Sequence, residues 1–279
     1  MNVRDLIKAI GDTDPQFFEQ GASRRSLVHR FASKASALTI PLVVSAFLPK
    51  AEAKTTSKIG EGFSLALRIT HLQRGLYEMG LNASGLTIKP SDRAALEKIL
   101  SIKHARIELF TQLIDQIGED QPLIPVIDYT GGYGAGTGPF QKVFQDFEQF
   151  LNLAQCLEDV SVRAYKGQIS IFMVHSDFMQ TLLRAHSSEA RIAAKVRMMR
   201  RDLPGSTPLL EPWVRGDQSH LPDVFFENFY SGEANTTQMG FAIPGINGMP
   251  VNHHAATEAF DEPLPADRVM AVVQKFFAG

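Results

Sequence analysis

The sequence predicts an all-α protein: a four-helix bundle with one long crossover, followed by an irregular C-terminal extension that ends in a short helix. Four segments carry apolar residues at three- and four-residue spacing. Their connections are short within each pair of helices and long between the two pairs, which is one of the known bundle topologies. After Pro204 the chain is rich in Pro, Gly and Asn and loses the helical period.

The first two helices are bounded by residues that commonly begin or end helices. The apolar stripe of the first runs from about Lys58 to Leu81, with Gly80 near its end. The second begins at Pro90, because proline is favoured in the first helical turn. Gly118 ends it, because glycine adopts the left-handed conformation that follows many helices. The short connection predicts that these helices are antiparallel neighbours.

The second pair of helices has the same kind of pattern. The third is predicted from about Phe140 to Lys166, with Gly167 beyond it, and the fourth from about Asp177 to Arg201. A last helix opens with Pro265 at a favourable first position. Residues 206–279 are therefore interpreted as an extension that wraps over the bundle.

Composition narrows the classes of function. Of 279 residues, 44% are hydrophobic and 21% are charged, which is ordinary for a globular protein. The formal net charge of −2 provides no general attraction to nucleic acid, so no nucleic-acid partner is expected. A single cysteine, Cys156, excludes a disulfide framework and a thiolate metal cage. Nineteen phenylalanines predict a phenylalanine-rich core, and no apolar run is long enough for an ordinary membrane span.

The amino-terminal region has the layout of a secretory signal. A basic cluster precedes a moderately apolar segment at 35–48, and a small-x-small motif follows. The paired arginines indicate the twin-arginine route and an exported, periplasmic or envelope-associated protein. The alternative is a basic amphipathic arm that is never removed, with membrane association through residues 24–48. The motif residues are Ser23, Arg24, Arg25, Ala51 and Ala53.

These patterns divide the chain into three expected parts. Residues 1–55 form the leader or N-terminal arm, residues 56–205 form the helical bundle, and residues 206–279 form the wrapping extension. The bundle is long enough to bury a core of its own, since single domains commonly have 100–150 residues.

Four charged residues fall on the apolar stripes of the predicted helices. Lys103 and Arg106 lie on the second helix, Glu158 on the third and Glu189 on the fourth. An unpaired buried charge costs several kcal/mol or is neutralised by a shift in its pKa. Two charges of each sign can cancel, so we expect these four side chains to pair across the bundle centre.

Several stretches resemble a known family, the bacterial ferritin-like domain proteins that include the desiccation-related group. They are "LALRITHLQRGLYEMGL", "SIKHARIELF", "FLNLAQCLEDVSVRAYKG" and "RAHSSEARIAAKVRMM", with "GEANTTQMG" and "ATEAFDEPL" in the extension. The resemblance covers residues 58–262, and the leader is similar to the twin-arginine leaders of such proteins. It implies that the bundle is ferritin-like.

Metal-binding members of this fold use one Glu from each of two helices and a Glu-x-x-His from each of the other two. The matching positions are Thr70 (less favourably Gln73), Lys103 and Arg106, Glu158, and Glu189 and Ile192. Only two of the six ligands remain. Lysine and arginine offer hydrogen-bond donors only and repel a cation. The resemblance therefore implies a degenerate site, and no metal, cofactor or catalytic residue is expected there.

Three hypotheses of function follow. The first is a non-enzymatic, exported structural or interaction protein that binds protein partners or forms a homo-oligomer. The second is a metal store or weak oxidase or peroxide enzyme, in which Glu158, Glu189 and His186 hold one ion. The third places a small molecule or lipid in the apolar interior or at the glycine-rich crossover.

Two further motifs have ordinary explanations. The crossover "PVIDYTGGYGAGTGPF" has glycine spacing like that of a phosphate-binding loop, but Pro139 stands where such a loop needs lysine. We interpret it as a flexible connection into the third helix. His253 and His254 form an adjacent pair that we interpret as a surface feature.

Overall fold

The computed structural model describes residues 50–173, 176–206, 209–217, 220–221 and 227–278. Four long helices dominate them: α1 (Lys50–Asn82), α2 (Pro90–Ile117), α3 (Phe147–Phe172) and α4 (Ser176–Arg201). Helix α1 packs against α2 and α3, and α3 packs against α4. The crossover at residues 118–146 joins the two pairs. The predicted all-α bundle with one long crossover is confirmed.

The chain after α4 is irregular and ends in short helices, as the sequence predicts. Its elements are α5 (Glu227–Tyr230), the antiparallel strands β1 (Thr237–Gln238) and β2 (Phe241–Ala242), α6 (His253–Glu258) and α7 (Ala266–Val273). Short 3₁₀ helices cover Ile246–Gly248 and Gln274–Phe276. Pro265 is the residue before α7 and has extended backbone angles, so it is not the first helical residue as predicted.

The bounds of α1 and α2 test the signals that predict them. Helix α2 begins at Pro90, and Gly118 follows it with a φ of 75° and donates its N–H to Asp115, as expected. Helix α1 begins at Lys50, eight residues before the predicted start, and includes Ala51 and Ala53. The other leader motif residues, Ser23, Arg24 and Arg25, and the segment 24–48 lie outside the described residues.

Both predicted ends of the third helix are wrong. Helix α3 begins at Phe147 rather than Phe140, because the Asp146 side chain accepts hydrogen bonds from the first free backbone amides. It continues through Gly167 to Phe172. At Gly167 the backbone of Leu264 lies where a Cβ atom would stand, so glycine serves close approach rather than helix termination.

The core is rich in phenylalanine, as the composition predicts. At one end of the bundle the ring of Phe63 lies 4.7 Å from Phe172 and 5.9 Å from Phe110, between ring centroids. At the other end Tyr77 meets Phe150 at 6.1 Å. The buried apolar residues form two clusters along the bundle. The charged positions on α2 and α4 fall between the two clusters, and Glu158 on α3 lies beside Leu157 of the first.

The C-terminal residues hold the crossover in place. The amide of Asp128 donates to the carbonyl of Phe276 at 2.7 Å, and that of Tyr133 donates to Lys275 at 2.9 Å. The amide of Ala278 donates back to Val126 at 2.9 Å. Where the structure describes the chain, none of its helices is long and apolar enough to cross a bilayer.

The close approach at Gly167 gives a first prediction. Gly167→Ala should lower the free energy of unfolding by roughly 1–3 kcal/mol, because the new methyl group overlaps with the backbone of Leu264. Urea unfolding measures the change. The control is Gly60→Ala, also within a helix, where the methyl group meets only the side chain of Glu119, which can move. Equal stability of the two variants would contradict the prediction.

Candidate functional site at the bundle centre

The four charged residues meet in the middle of the bundle. Lys103 and Arg106 lie one turn apart on α2, and Glu158 and Glu189 face them from α3 and α4. The side chains of Lys103, Glu158 and Glu189 are fully buried, and that of Arg106 is 4% exposed. Periodicity places each of them inward because all four share a face with apolar neighbours on their own helix.

One ammonium group bridges both carboxylates. The Nζ of Lys103 lies 2.8 Å from Oε2 of Glu158 and 2.6 Å from Oε2 of Glu189. Arg106 donates from Nη1 to Oε1 of Glu189. The hydroxyl of Tyr77 donates to Oε1 of Glu158 at 2.8 Å. The structure thus brings the four predicted residues together, and every carboxylate oxygen accepts a hydrogen bond from the protein.

The two carboxyl groups differ in acidity because their neighbours differ. Burial alone would raise the pKa of Glu189, but Arg106 and Lys103 outweigh it and lower the pKa to about 2. Burial raises the pKa of Glu158 well above its usual value; Lys103 opposes this, and the charge of Glu189 adds to it. Glu189 is therefore the firmly ionised member of the pair.

Arg106 and Tyr77 are held in their donor forms. Burial lowers the pKa of Arg106, but Glu189, Tyr165 and Glu158 together outweigh burial, so the net shift is upward. Burial also raises the pKa of Tyr77, and Glu158 adds to that effect. The Tyr77 hydroxyl stays protonated and donates. Sequence reasoning did not assign a role to Tyr77, although its position one turn after Gln73 on the inward face was a usable signal.

The remaining positions of the ferritin-like ligand pattern make other contacts. Thr70 donates from Oγ1 to the carbonyl of Ala66 at 2.7 Å and shares a 3.2 Å hydrogen bond with the hydroxyl of Tyr165. Gln73, the alternative first-helix position, donates to the carbonyl of Leu157 at 3.2 Å. Ile192 is buried and apolar. None of Thr70, Gln73 and Ile192 offers a carboxylate or an imidazole.

These residues do not fit a di-metal centre. Such a centre needs several anionic or imidazole ligands with lone pairs directed at the ions. Here the oxygens of Glu158 and Glu189 already accept protein donors, and Lys103 and Arg106 add two positive charges to the same space. A divalent cation would need both cations to leave a buried position where their partners hold them.

Comparison with known protein families finds one family that matches the chain. A family model described as "ferritin-like domain" matches residues 14–201, which is more than half of the chain. The chain belongs to the ferritin-like domain family. Comparison with curated proteins and with solved structures finds no match. In this ferritin-like protein the ion cluster lies on the inward faces of the bundle helices, where the fold builds its metal sites.

The alternative ion site at Glu158, Glu189 and His186 is not assembled. The Nδ1 of His186 lies 3.0 Å from the carbonyl oxygen of Val162, to which it hydrogen bonds. Burial lowers the pKa of His186. In the part of the chain that the structure describes, no three His, Cys, Asp or Glu side chains come together in a group suited to a metal ion.

A second buried network joins the bundle to the C-terminal extension. Asp159 on α3 pairs with Arg197 on α4, whose Nε lies 3.3 Å from Oδ1 of Asp159. The hydroxyl of Tyr230 donates to Oδ2 of Asp159 at 2.6 Å, and Gln155 donates to that hydroxyl at 3.0 Å. Sequence reasoning missed this network, although Arg197 lies eight residues after Glu189 and so near the same face of α4.

Arg163 on α3 extends this attachment. Its Nε lies 2.6 Å from a carboxylate oxygen of Glu233. Its other nitrogens donate to the carbonyls of Phe229 at 2.5 Å and Ser231 at 2.7 Å, and Nε also donates to Glu262 at 3.0 Å. One buried guanidinium therefore fixes two segments of the extension, residues 229–233 and the region of Glu262, because its donors point in fixed, divergent directions.

The glycine-rich crossover is organised by a carboxylate of its own. Oδ2 of Asp128 accepts the amides of Gly134 at 3.0 Å and Gly136 at 3.1 Å, and Oδ1 accepts the amide and hydroxyl of Thr130. A phosphate-binding loop would present such amides to its ligand, but here Asp128 occupies them. The crossover is thus tied together and to the C-terminus, which corrects its interpretation as a flexible connection.

Two other candidate groups have ordinary surroundings. Cys156 is fully buried, and burial raises the pKa of its thiol, so the thiolate is disfavoured. The rings of His253 and His254 lie 6.1 Å apart at the start of α6 and are exposed. Neither group therefore adds a candidate site to the ion cluster at the bundle centre.

The bridging ammonium gives a second prediction. Lys103→Met should lower the free energy of unfolding by roughly 3–5 kcal/mol, because two buried carboxylates lose their shared partner. Denaturant unfolding at neutral pH measures it. Lys98→Met, at an exposed position of α2, is the control and should stay within about 0.5 kcal/mol of the parent chain. Similar free energies of unfolding for the two variants would contradict the prediction, because the carboxylates would then not depend on Lys103.

The low pKa of Glu189 gives a third prediction. Between about pH 4.5 and about pH 2 the unfolded chain binds a proton at this residue that the folded chain does not. As the pH is lowered from about 4.5 to about 2, the free energy of unfolding should therefore decrease, by up to about 3 kcal/mol from this group. Unfolding measured across the window should show a shallower fall for Glu189→Gln, whereas Glu97→Gln, an exposed control, should follow the parent chain. Identical slopes for Glu189→Gln and the parent chain would contradict the assignment.

Proposed function

We propose that this ferritin-like protein is non-enzymatic and that its buried salt-bridge cluster takes the place of a di-metal site. The observation that carries the proposal is the position of Lys103. Its Nζ lies within 2.8 Å of a carboxylate oxygen on each of two helices, so it bridges the carboxylates as a metal ion would. The charge balance that an ion supplies in other members comes here from the side chains of Lys103 and Arg106.

The chemistry of the cluster supports a structural role. Oxidase or peroxide chemistry at a di-metal site requires carboxylate and imidazole ligands and open coordination positions. Each carboxylate oxygen of Glu158 and Glu189 accepts a hydrogen bond from a protein donor, and both side chains are fully buried. Lys103 and Arg106 are held there by burial and by these hydrogen bonds, so exchange for an ion would break several contacts at once.

We place this structural or interaction role in an envelope assembly. The signal-like leader, with its arginine pair and small-x-small motif, supports export. The stretches similar to the desiccation-related group support the same setting. In this proposal the protein acts through protein partners or as a homo-oligomer, with the bundle as a rigid scaffold.

Metal content gives the fourth prediction and tests the proposal. The purified chain, exposed to iron or manganese and then desalted, should hold no stoichiometric metal by elemental analysis. About one or two ions per chain, the occupancy of a mononuclear or di-metal site, would contradict the proposal. Calorimetric titration with manganese should likewise show no saturable binding.

A restored ligand set provides the matched comparison. Combining Thr70→Glu, Lys103→Glu, Arg106→His and Ile192→His rebuilds the six-ligand pattern, and this chain should take up about two ions. Lys103→Met with Arg106→Met removes both cations without adding ligands and should take up none. If the parent chain bound metal as well as the restored one, the cluster would not be a replacement for the metal site.

A further inference from the structure

One segment of the extension carries no charged side chain. Residues 234–252, here called the apolar loop, contain none of the Asp, Glu, Lys, Arg or His residues that are frequent elsewhere in the chain. The segment includes β1, β2 and the 3₁₀ helix at Ile246–Gly248. It also lies outside the matched family region, which ends at residue 201. Neither the ion cluster at the bundle centre nor the contacts of Asp159 and Arg163 with the extension account for it.

The apolar loop presents large hydrophobic side chains to solvent. Met239 at the turn is 97% exposed, Phe241 is 67% exposed, and Met249 is 50% exposed. Single exposed apolar residues are common on protein surfaces and need no explanation. Several of them on one uncharged segment form a candidate contact surface, because exposed apolar patches occur at protein, membrane and ligand contacts.

The backbone of the apolar loop is built to present these side chains. Strands β1 and β2 pair through a two-residue turn in which Met239 and Gly240 have φ values of 51° and 85°. The amide of Ile243 donates to Thr236 at 2.9 Å, and that of Gly245 donates to Val251 at 3.2 Å. Because these polar groups bond within the loop, less of the backbone would need water when the loop enters an apolar environment.

We infer that the apolar loop docks on the surface of a lipid bilayer, inserting Met239 and Phe241 at the interface. A loop without charge avoids the large cost of moving ions out of water. It also lacks the lysines and arginines that attract proteins to anionic lipid. The geometry therefore points to neutral, zwitterionic lipid and to peripheral contact by a shallow insertion.

The two clefts beside α3 and Arg200 offer poor sites for this loop on a second copy of the chain. The cleft beside the start of α3 is lined by Lys142 and Asp146, and the cleft beside Arg200 is lined by Glu148 and His220. An apolar hairpin docking there would desolvate charged groups without pairing them. The inference is independent of the proposed function, because the bundle centre and the apolar loop share no residue.

Fluorescence quenching tests the insertion directly in the full chain. Trp213→Phe removes the only indole, and Phe241→Trp then places one on the apolar loop. Vesicles of phosphatidylcholine brominated on the acyl chains should quench this indole and shift its emission to the blue. The matched control is the parent chain, whose indole at Trp213 should be quenched far less. Absence of quenching at position 241 would overturn the inference.

Vesicle binding provides the second measurement, and it separates the loop from the leader. Met239→Ser with Phe241→Ser should weaken binding to phosphatidylcholine vesicles, measured by co-sedimentation, by roughly tenfold or more. The reason is that a serine side chain gains far less free energy than Met or Phe when it leaves water. Leu123→Ser with Val126→Ser, also exposed but in the crossover, should leave binding unchanged. Equal binding by the loop variant and the parent chain would overturn the inference. So would a concentration-dependent oligomer that the loop variant abolishes, because the loop would then be a protein interface.

Discussion

The buried ammonium of Lys103 is the interaction on which the bundle centre depends. It joins Glu158 on α3 to Glu189 on α4 from a position on α2, and Tyr77 brings in α1 through the other oxygen of Glu158. Each helix of the bundle therefore contributes a polar group to one layer. Because Lys103, Glu158 and Glu189 are fully buried, each depends on the other members for its hydrogen bonds.

We expect this layer to govern the alignment of the helices more than it adds to their stability. Replacing a buried ion cluster by apolar residues of similar volume is often neutral or stabilising. The presence of the cluster is therefore weak evidence that it raises the free energy of unfolding. Its position between two apolar clusters has a different consequence. A slip of α4 by one turn would carry Glu189 away from both Lys103 and Arg106 and leave charges unpaired in the core. The apolar stripes alone would resist such a slip far less, because one methyl-rich face packs much like the next.

The extension is fixed to the bundle by the same kind of interaction. Asp159 and Arg163 on α3 point away from the ion cluster and bind Tyr230, Glu233 and neighbouring carbonyls of the extension. Polar groups of α3 thus act in two directions, toward the bundle centre and toward the segment that covers it. Close approach of the two backbones at Gly167 and Leu264 completes this attachment.

The sequence by itself determined the helices and the inward direction of Lys103, Arg106, Glu158 and Glu189, because a 3.6-residue period is a local property of the chain. The ligand pattern of the fold then identified which positions had changed. Only the tertiary structure decided which oxygen each cation binds and that Tyr77 completes the layer. Those outcomes depend on groups far apart in the chain. Periodicity places a side chain on a face, but it carries no information about what meets that face from another segment.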